Sequence, residues 1–351
     1  MDLFDFDDNP MPAGGRAVPL VARDGVRLRA AFWPARGEVP VGTLCLFPGR
    51  AEFIEKYYEV IGHFLDRGFA VAALDWRGQG GSQRLLPDGT KGHVRRFSDF
   101  DLDLDAFVEG VVRRLAPTPC HVLAHSMGAN VLLTHAASGK GGWIARMVLT
   151  APFLDFGRTP LPRSMVGKVA RTLTYLGFGR CFIPTPMRKV AEVDAFAGNP
   201  LTHDRVRFER TMRMLDAHPE LGIAAPTIGW IRAAVQSMAL FEDPRLPQRF
   251  KTPTLMVGCG ADHVVSTPAI ERLAARLKMA GYLHLPGARH EALMEIDRHR
   301  RPLLAAIDAF LPGEHLPGEG GSAAATMPRQ AGEDAEAPAV AATVSAGGEQ
   351  A

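Results

Sequence analysis

The chain has 351 residues, 46% hydrophobic and 22% charged, enough to bury a large core in the ordinary globular range. Its net charge of +2 conceals an acidic end: residues 313–351 carry six acids against Arg329 alone, and the remainder carries 39 basic and 32 acidic residues, or +7. With no lysine/arginine run and no apolar stretch of 18 residues, this pattern argues against a nucleic-acid partner and a membrane span, while leaving room for peripheral contact with an anionic lipid surface.

Residues 1–10 hold Asp2, Asp5, Asp7 and Asp8 with no basic start and no apolar run, so they do not form a secretory signal, and a cytoplasmic protein is expected. They read as an acidic N-terminal segment of loose character, with Phe4 and Phe6 available to dock on the body. From there, short β-rich runs alternate with helical patterns. Strands are predicted over 26–33, 42–47, 70–74, 121–124, 147–150, 254–257 and 282–285, and helices over 54–66, 99–115, 127–138, 268–279 and 301–311. Such alternation predicts an α/β fold with a mostly parallel central sheet covered by helices on both faces. In the helix at 99–115, Ser98 with Asp101 resembles a capping box, Arg113 and Arg114 close the last turn, and Phe100, Leu104, Phe107, Val111 and Leu115 form one buried face.

The alternation stops between 153 and 250. Helices are predicted there over 165–176, 206–215 and 230–241, with breaks at Pro184, Pro186, Pro200 and Pro226, and no strand before Thr252. The expected organisation is a core of 11–152 and 251–312, a helical cap insertion of 153–250, and a tail of 313–351. That tail is rich in Ala, Gly, Glu and Pro without aromatic residues, a composition that predicts disorder. Cys45, Cys120, Cys181 and Cys259 lack CxxC spacing and lie mostly in apolar runs, so buried free thiols are expected rather than disulfides or a zinc site.

The chemistry concentrates at the ends of the predicted strands. The run from Cys120 to Gly128, C-H-V-L-A-H-S-M-G, is a strand, a serine and then a helical pattern, the context of a nucleophile elbow at Ser126. Ala124 stands where the general motif has glycine. A serine hydroxyl needs a base, and the base an orienting acid; in this fold the chain order is serine, acid, histidine. Asp262 follows a strand and a glycine loop, and His290 follows the next strand. Alone, Asp262 reads equally as a turn aspartate and His290 as a loop histidine bonded to Glu291. Together, in order and at strand ends, they read as a triad with Ser126, with Asp155 as the rival acid. Two backbone N–H groups would bind the oxyanion: Met127, after the nucleophile, and Arg50, in the loop Pro48-Gly49-Arg50 where Gly49 would permit a sharp turn. Pro-Gly as a plain surface turn is the alternative. No cofactor and no metal is implied.

On these residues the chain resembles the monoacylglycerol lipase and bacterial lysophospholipase group of α/β hydrolases, also described as serine aminopeptidase-like. The resemblance runs from about Ala22 to Leu311 and includes Asp24-Gly25-Val26-Arg27-Leu28, Pro48-Gly49-Arg50 with Tyr57, and Asp75-Trp76-Arg77-Gly78-Gln79-Gly80-Gly81-Ser82. It continues through Gly92-His93-Val94, the Ala-His-Ser-Met-Gly elbow, Asn199-Pro200-Leu201-Thr202, and the loops of Asp262 and His290. The family commonly has His-Gly where this chain has Pro48-Gly49. The resemblance implies an α/β-hydrolase fold, a cap that selects the acyl chain, and a small-molecule or lipid ester as partner, with monoacylglycerol or lysophospholipid foremost. An acyltransferase or small-ester esterase is the nearest alternative, a non-catalytic ligand-binding member of the fold a more distant one. Oligomeric state is not legible.

Overall fold

The computed structural model describes residues 1–183 and 196–311. Eight strands form one sheet: β1 (Arg16–Val21), β2 (Arg27–Trp33), β3 (Gly42–Phe47), β4 (Phe69–Leu74), β5 (Cys120–His125), β6 (Arg146–Thr150), β7 (Thr254–Cys259) and β8 (Ala280–Leu285). Their spatial order is β1-β2-β4-β3-β5-β6-β7-β8, antiparallel at β1/β2 and β2/β4 and parallel from β4 through β8. The α/β expectation therefore holds. Parallel pairing sends the carboxyl ends of β3, β5, β7 and β8 to one edge, and the order reverses between β3 and β5, the position where open α/β sheets place their sites.

The sequence reading missed β1. Its run R-A-V-P-L-V is interrupted by Pro19 and buries only Leu20 fully, so it shows neither clean alternation nor an apolar run. Proline is tolerated there because β1 is an edge strand. The last helix also starts earlier than predicted: it spans Asp297–Phe310, with Pro302 inside it. Ser98 and Asp101 do not form a capping box; Asp99 instead accepts from the Arg96 N–H at 3.2 Å, and Asp101 pairs with His135 Nδ1 (2.6 Å) and Lys140. The helical face from Phe100 is nonetheless buried, through Leu104, Phe107 and Val111. A π turn over Val108–Val112 brings Gly110 against Leu20 of β1, so close that a Cβ would lie 2.3 Å from its Cδ2.

Residues 1–10 are not loose. Phe4 and Phe6 pack against the cluster of Phe53, Met214, Leu215 and Leu221, Phe4 stacks on His218 at 3.7 Å, and Asn9 donates to the Glu55 carbonyl at 2.8 Å. Two aromatic anchors outweigh the solubility of the four aspartates around them. The thiols of Cys45, Cys120 and Cys259 are buried, but Cys181 is exposed, against the expectation. The acidic tail lies outside the described residues, as do Pro184 and Pro186.

Between β6 and β7 the described residues add no strand to the sheet. The helices Arg163–Tyr175, Arg205–Ala217, Ile228–Leu240 and Leu246–Arg249 occupy this stretch. It meets the loops at the carboxyl edge: Leu201 accepts from the Glu291 N–H (2.8 Å), the Ala224 N–H donates to Thr90 (2.7 Å), and Trp230 stacks on Phe153. No helix among the described residues is long and apolar enough to cross a membrane.

The D-W-R-G-Q-G-G-S segment holds this edge together. Buried Arg29 reaches Asp75 Oδ2 with Nε (2.7 Å) and Glu55 with Nη1 (2.6 Å), while Asp75 also accepts from the N–H groups of Ile54 and Gly81. A Cβ at Gly80 would lie 2.3 Å from the Asp75 carboxyl carbon, which explains the glycine. Arg77 likewise bridges Asp24 and buried Asp103. Removing one member of such a buried set leaves uncompensated charge. Arg29→Met is therefore expected to cost about 3–5 kcal/mol in urea unfolding; an unchanged midpoint would count against this role.

Candidate active site

β5 ends at His125, and the helix Ser126–Ala137 begins at once. The reversal falls on Ser126 itself, whose φ of 48° is a left-handed value that a side chain adopts only under constraint. The constraint is packing. Gly128 lies so close to β3 that a Cβ would sit 2.5 Å from the Pro48 carbonyl oxygen and 2.6 Å from that of Phe47. The methyl of Ala124 is buried opposite Phe47 without such a clash.

The structure brings Ser126, His290 and Asp262 together from three strand ends. His290 Nε2 lies 3.0 Å from Ser126 Oγ, and His290 Nδ1 lies 2.7 Å from Asp262 Oδ2. Asp262 is itself held: its Oδ1 accepts from the N–H groups of Val264 (2.7 Å) and Val265 (3.0 Å). Burial pushes the Asp262 carboxyl up, but His290 and these backbone donors outweigh it, leaving it below the usual carboxylate range. Asp155 is engaged elsewhere, by the Phe156 N–H at 2.9 Å and Arg163 at 3.5 Å.

Arg50 and Met127 both line the cavity beside Ser126. The Met127 N–H belongs to the first turn of its helix, whose donors have no partner within the helix. The backbone N–H of Arg50 donates no hydrogen bond among the described residues. Gly49 is needed, though not for the reason expected. A Cβ there would lie 2.8 Å from Glu52 Oε2, 3.0 Å from the His125 ring and 3.2 Å from Ser126 Cβ, while the left-handed turn falls on Ala51, at φ 62°.

Sequence reasoning missed the groups beneath this loop. Gln79 of the D-W-R-G-Q segment donates to the Gly49 carbonyl at 2.7 Å. Buried Glu52 accepts from the Gly49 N–H and from the Tyr57 hydroxyl (2.7 Å), and Lys56 Nζ bridges Glu52 (2.8 Å) to Glu291 (2.6 Å), the neighbour of His290. An ionic file thus ties the loop after β3 to the loop after β8. Burial would raise the Glu52 carboxyl, but Lys56 and His125 pull it down to about 2. Tyr57 was noted in the sequence only as part of the resemblance; the spacing of Glu52 and Lys56, four apart, is the one further signal that was available.

His125 packs its ring 4.7 Å from that of His290, fully enclosed, with Nδ1 near the Thr150 carbonyl (3.1 Å). Burial drives its pKa down to about 4, and Glu52 and Asp262, opposed by His290 and Lys56, only partly restore it. A histidine depressed in the folded state is stabilising while neutral. That contribution is complete above its unfolded value near 6.5 and is lost as pH falls toward 4. Unfolding midpoints are expected to drop over this window, and His125→Asn to flatten the drop; an equally steep limb in the variant would remove His125 as its cause.

The cavity holds about 490 Å³ and is walled by Phe153, Phe156, Leu215, Ile223, Trp230 and Ile231 around the polar groups named above. Among the described residues no cluster of three or more His, Cys, Asp or Glu side chains could hold a metal ion.

The model of the serine aminopeptidase S33 family matches residues 38–297. The chain belongs to this family. It is 31% identical over 315 residues to lysophospholipase L2 of Escherichia coli (strain K12), covering 84% of this chain and 86% of that protein. It is 27% identical to the monoacylglycerol lipase of Mycolicibacterium smegmatis, over 77% of this chain and 88% of the other. A soluble variant of monoglyceride lipase from Saccharomyces cerevisiae, solved with a substrate analog, superposes with a TM-score of 0.67 at 19% identity, covering 88% of this chain and 99% of that one. At that identity the likeness shows the fold, the α/β-hydrolase fold common to this S33 family.

Proposed function

We propose that this S33-family member hydrolyses the carboxylic ester of a monoacyl glycerolipid, a lysophospholipid or a monoacylglycerol, through an acyl-enzyme on Ser126. The reading is carried by the hydrogen-bonded file Asp262–His290–Ser126 opening on an apolar cavity. Ser126 Oγ attacks the ester carbonyl while His290 Nε2 takes its proton, and the N–H groups of Met127 and Arg50 hold the oxyanion. His290 then returns the proton to the departing alcohol. Water, deprotonated by the same nitrogen, releases the fatty acid. Asp262 keeps the imidazole in the tautomer that presents Nε2 to the serine and stabilises its cation.

The segment 153–250 acts in this reading as a cap that covers the acyl chain, supported by Phe153, Ile223 and Trp230 in the cavity wall. The exposed apolar residues Met165, Val169, Tyr175, Leu176 and Phe178, beside Lys168 and Arg171, suit peripheral contact with a lipid surface. The relatives named lysophospholipase and monoacylglycerol lipase support the substrate class. Fluorophosphonate labelling with peptide mapping, followed by incubation with monoacylglycerols and lysophospholipids, tests it. Label on the Ser126 peptide and fatty-acid release from either lipid are expected; label elsewhere, or turnover confined to short-chain esters, overturns it.

A further inference from the structure

We propose that the Arg50 guanidinium recognises a phosphodiester on the substrate, so that the cavity takes a phosphorylated monoacyl glycerolipid in preference to a neutral one. This rests on the ester-hydrolase reading and narrows its substrate.

Arg29 is met by Glu55 and Asp75, Arg77 by Asp24 and Asp103, and Arg207 by Glu59 and Asp204; Arg84 and Arg232, half-buried like Arg50, bond to backbone carbonyls instead, but neither lines the cavity. Arg50 makes no ion pair among the described residues. Its Nη2 donates to the Ala224 carbonyl, its Nε is closed off from solvent without a hydrogen-bond partner, and its guanidinium lies 5.6 Å from the centroid of the Trp230 ring. A carbonyl and a π face orient a cation without neutralising it. Burial lowers its pKa only to about 10, so it stays charged at neutral pH. Lys56, the other lysine or arginine in the cavity wall, is already held by Glu52 and Glu291.

Position and shape suit the task. Arg50 belongs to the loop packed against Ser126, and its side chain extends toward Gly92, where a Cβ would lie 2.7 Å from Nη2. Glycine at 92 thus makes room for the fork. In a monoacyl glycerophospholipid, only the three-carbon glycerol unit separates the ester from the phosphate, so both reach one cavity. A guanidinium offers planar paired donors that match phosphate oxygens, and in a largely apolar enclosure that pairing is strong. A half-buried cation without a counter-charge is otherwise costly to hold in such an enclosure, and a bound anion would relieve that cost.

The test compares three ligands of equal chain length that contain no carboxylic ester, titrated calorimetrically below micelle formation into the 351-residue chain. They are decylphosphocholine, decanoate and decyl glucoside. Decylphosphocholine is expected to bind about 10- to 100-fold tighter than decyl glucoside, the range of a hydrogen bond to a charged group. Arg50→Met should erase the advantage and Arg50→Lys retain part of it. In turnover, Arg50→Met should lower by a similar factor the ratio of kcat/KM for a lysophospholipid to that for the monoacylglycerol of the same acyl chain. A merely structural Arg50 would weaken all ligands alike and leave both ratios unmoved, which overturns the proposal. Equal binding of decylphosphocholine and decyl glucoside by the unaltered protein overturns it without any variant. Tighter binding of decanoate than of decylphosphocholine would assign Arg50 to the fatty-acid product and overturn the headgroup role. Since these ligands are not cleaved, failure here leaves ester hydrolysis standing, and failure of the fluorophosphonate test leaves the binding result readable.

Discussion

Ser126→Ala is expected to lower kcat by about 10⁵- to 10⁶-fold while the circular dichroism spectrum and unfolding midpoint stay near those of the unaltered protein. The change removes one oxygen whose hydrogen-bond partner in the structure is His290, at 3.0 Å, and leaves the left-handed turn at 126 imposed by Gly128 against β3. His290→Ala should cost a similar factor, and the double variant little more than either single one, because the hydroxyl and the imidazole act as one unit. Residual activity above the uncatalysed rate would come from the backbone donors and the cavity. Multiplying losses in the double variant would mean that the two groups act independently, and the proposed mechanism would fail.

Asp262→Asn is expected to lower kcat by about 10⁴-fold with nearly unchanged structure. An amide in place of the carboxylate presents an N–H toward His290 Nδ1 and favours the tautomer whose Nε2 carries a proton, so the base points a donor at the serine. The backbone N–H groups of Val264 and Val265 still have an amide oxygen to bond, which keeps the loop in place. Asp155→Asn is the matched control. Its carboxylate serves Phe156 and Arg163, and kcat should stay close to that of the unaltered enzyme. A large loss at 155 with none at 262 would move the acid role to the strand end after β6.

What was legible in the sequence was local or periodic. Apolar runs bounded by turn residues disclosed seven of the strands; for β3 to β7 the reason is that a strand buried on both faces must be apolar throughout. β1 stayed hidden because an exposed edge strand carrying Pro19 has no such obligation. That Ser126, Asp262 and His290 would come together was readable from their places after strands, since parallel pairing sends the carboxyl ends of β3 through β8 to one edge. The reason for Gly49 was misread, because close approach to Glu52, His125 and Ser126 depends on chain segments that meet only in three dimensions.

By itself, then, the sequence determined the α/β class, the order of elements and which side chains stand at the strand ends, all consequences of short-range periodicity and turn chemistry. The tertiary structure alone decided that Asp262 rather than Asp155 faces His290, that Phe4 and Phe6 dock, that Lys56 joins the loops after β3 and β8, and that Arg50 stands without a carboxylate among the described residues. Each of these depends on which distant charges and rings become neighbours once water is excluded. Pairings of that kind leave no period in the chain, because their energy depends on distance in space and on burial rather than on separation along the backbone.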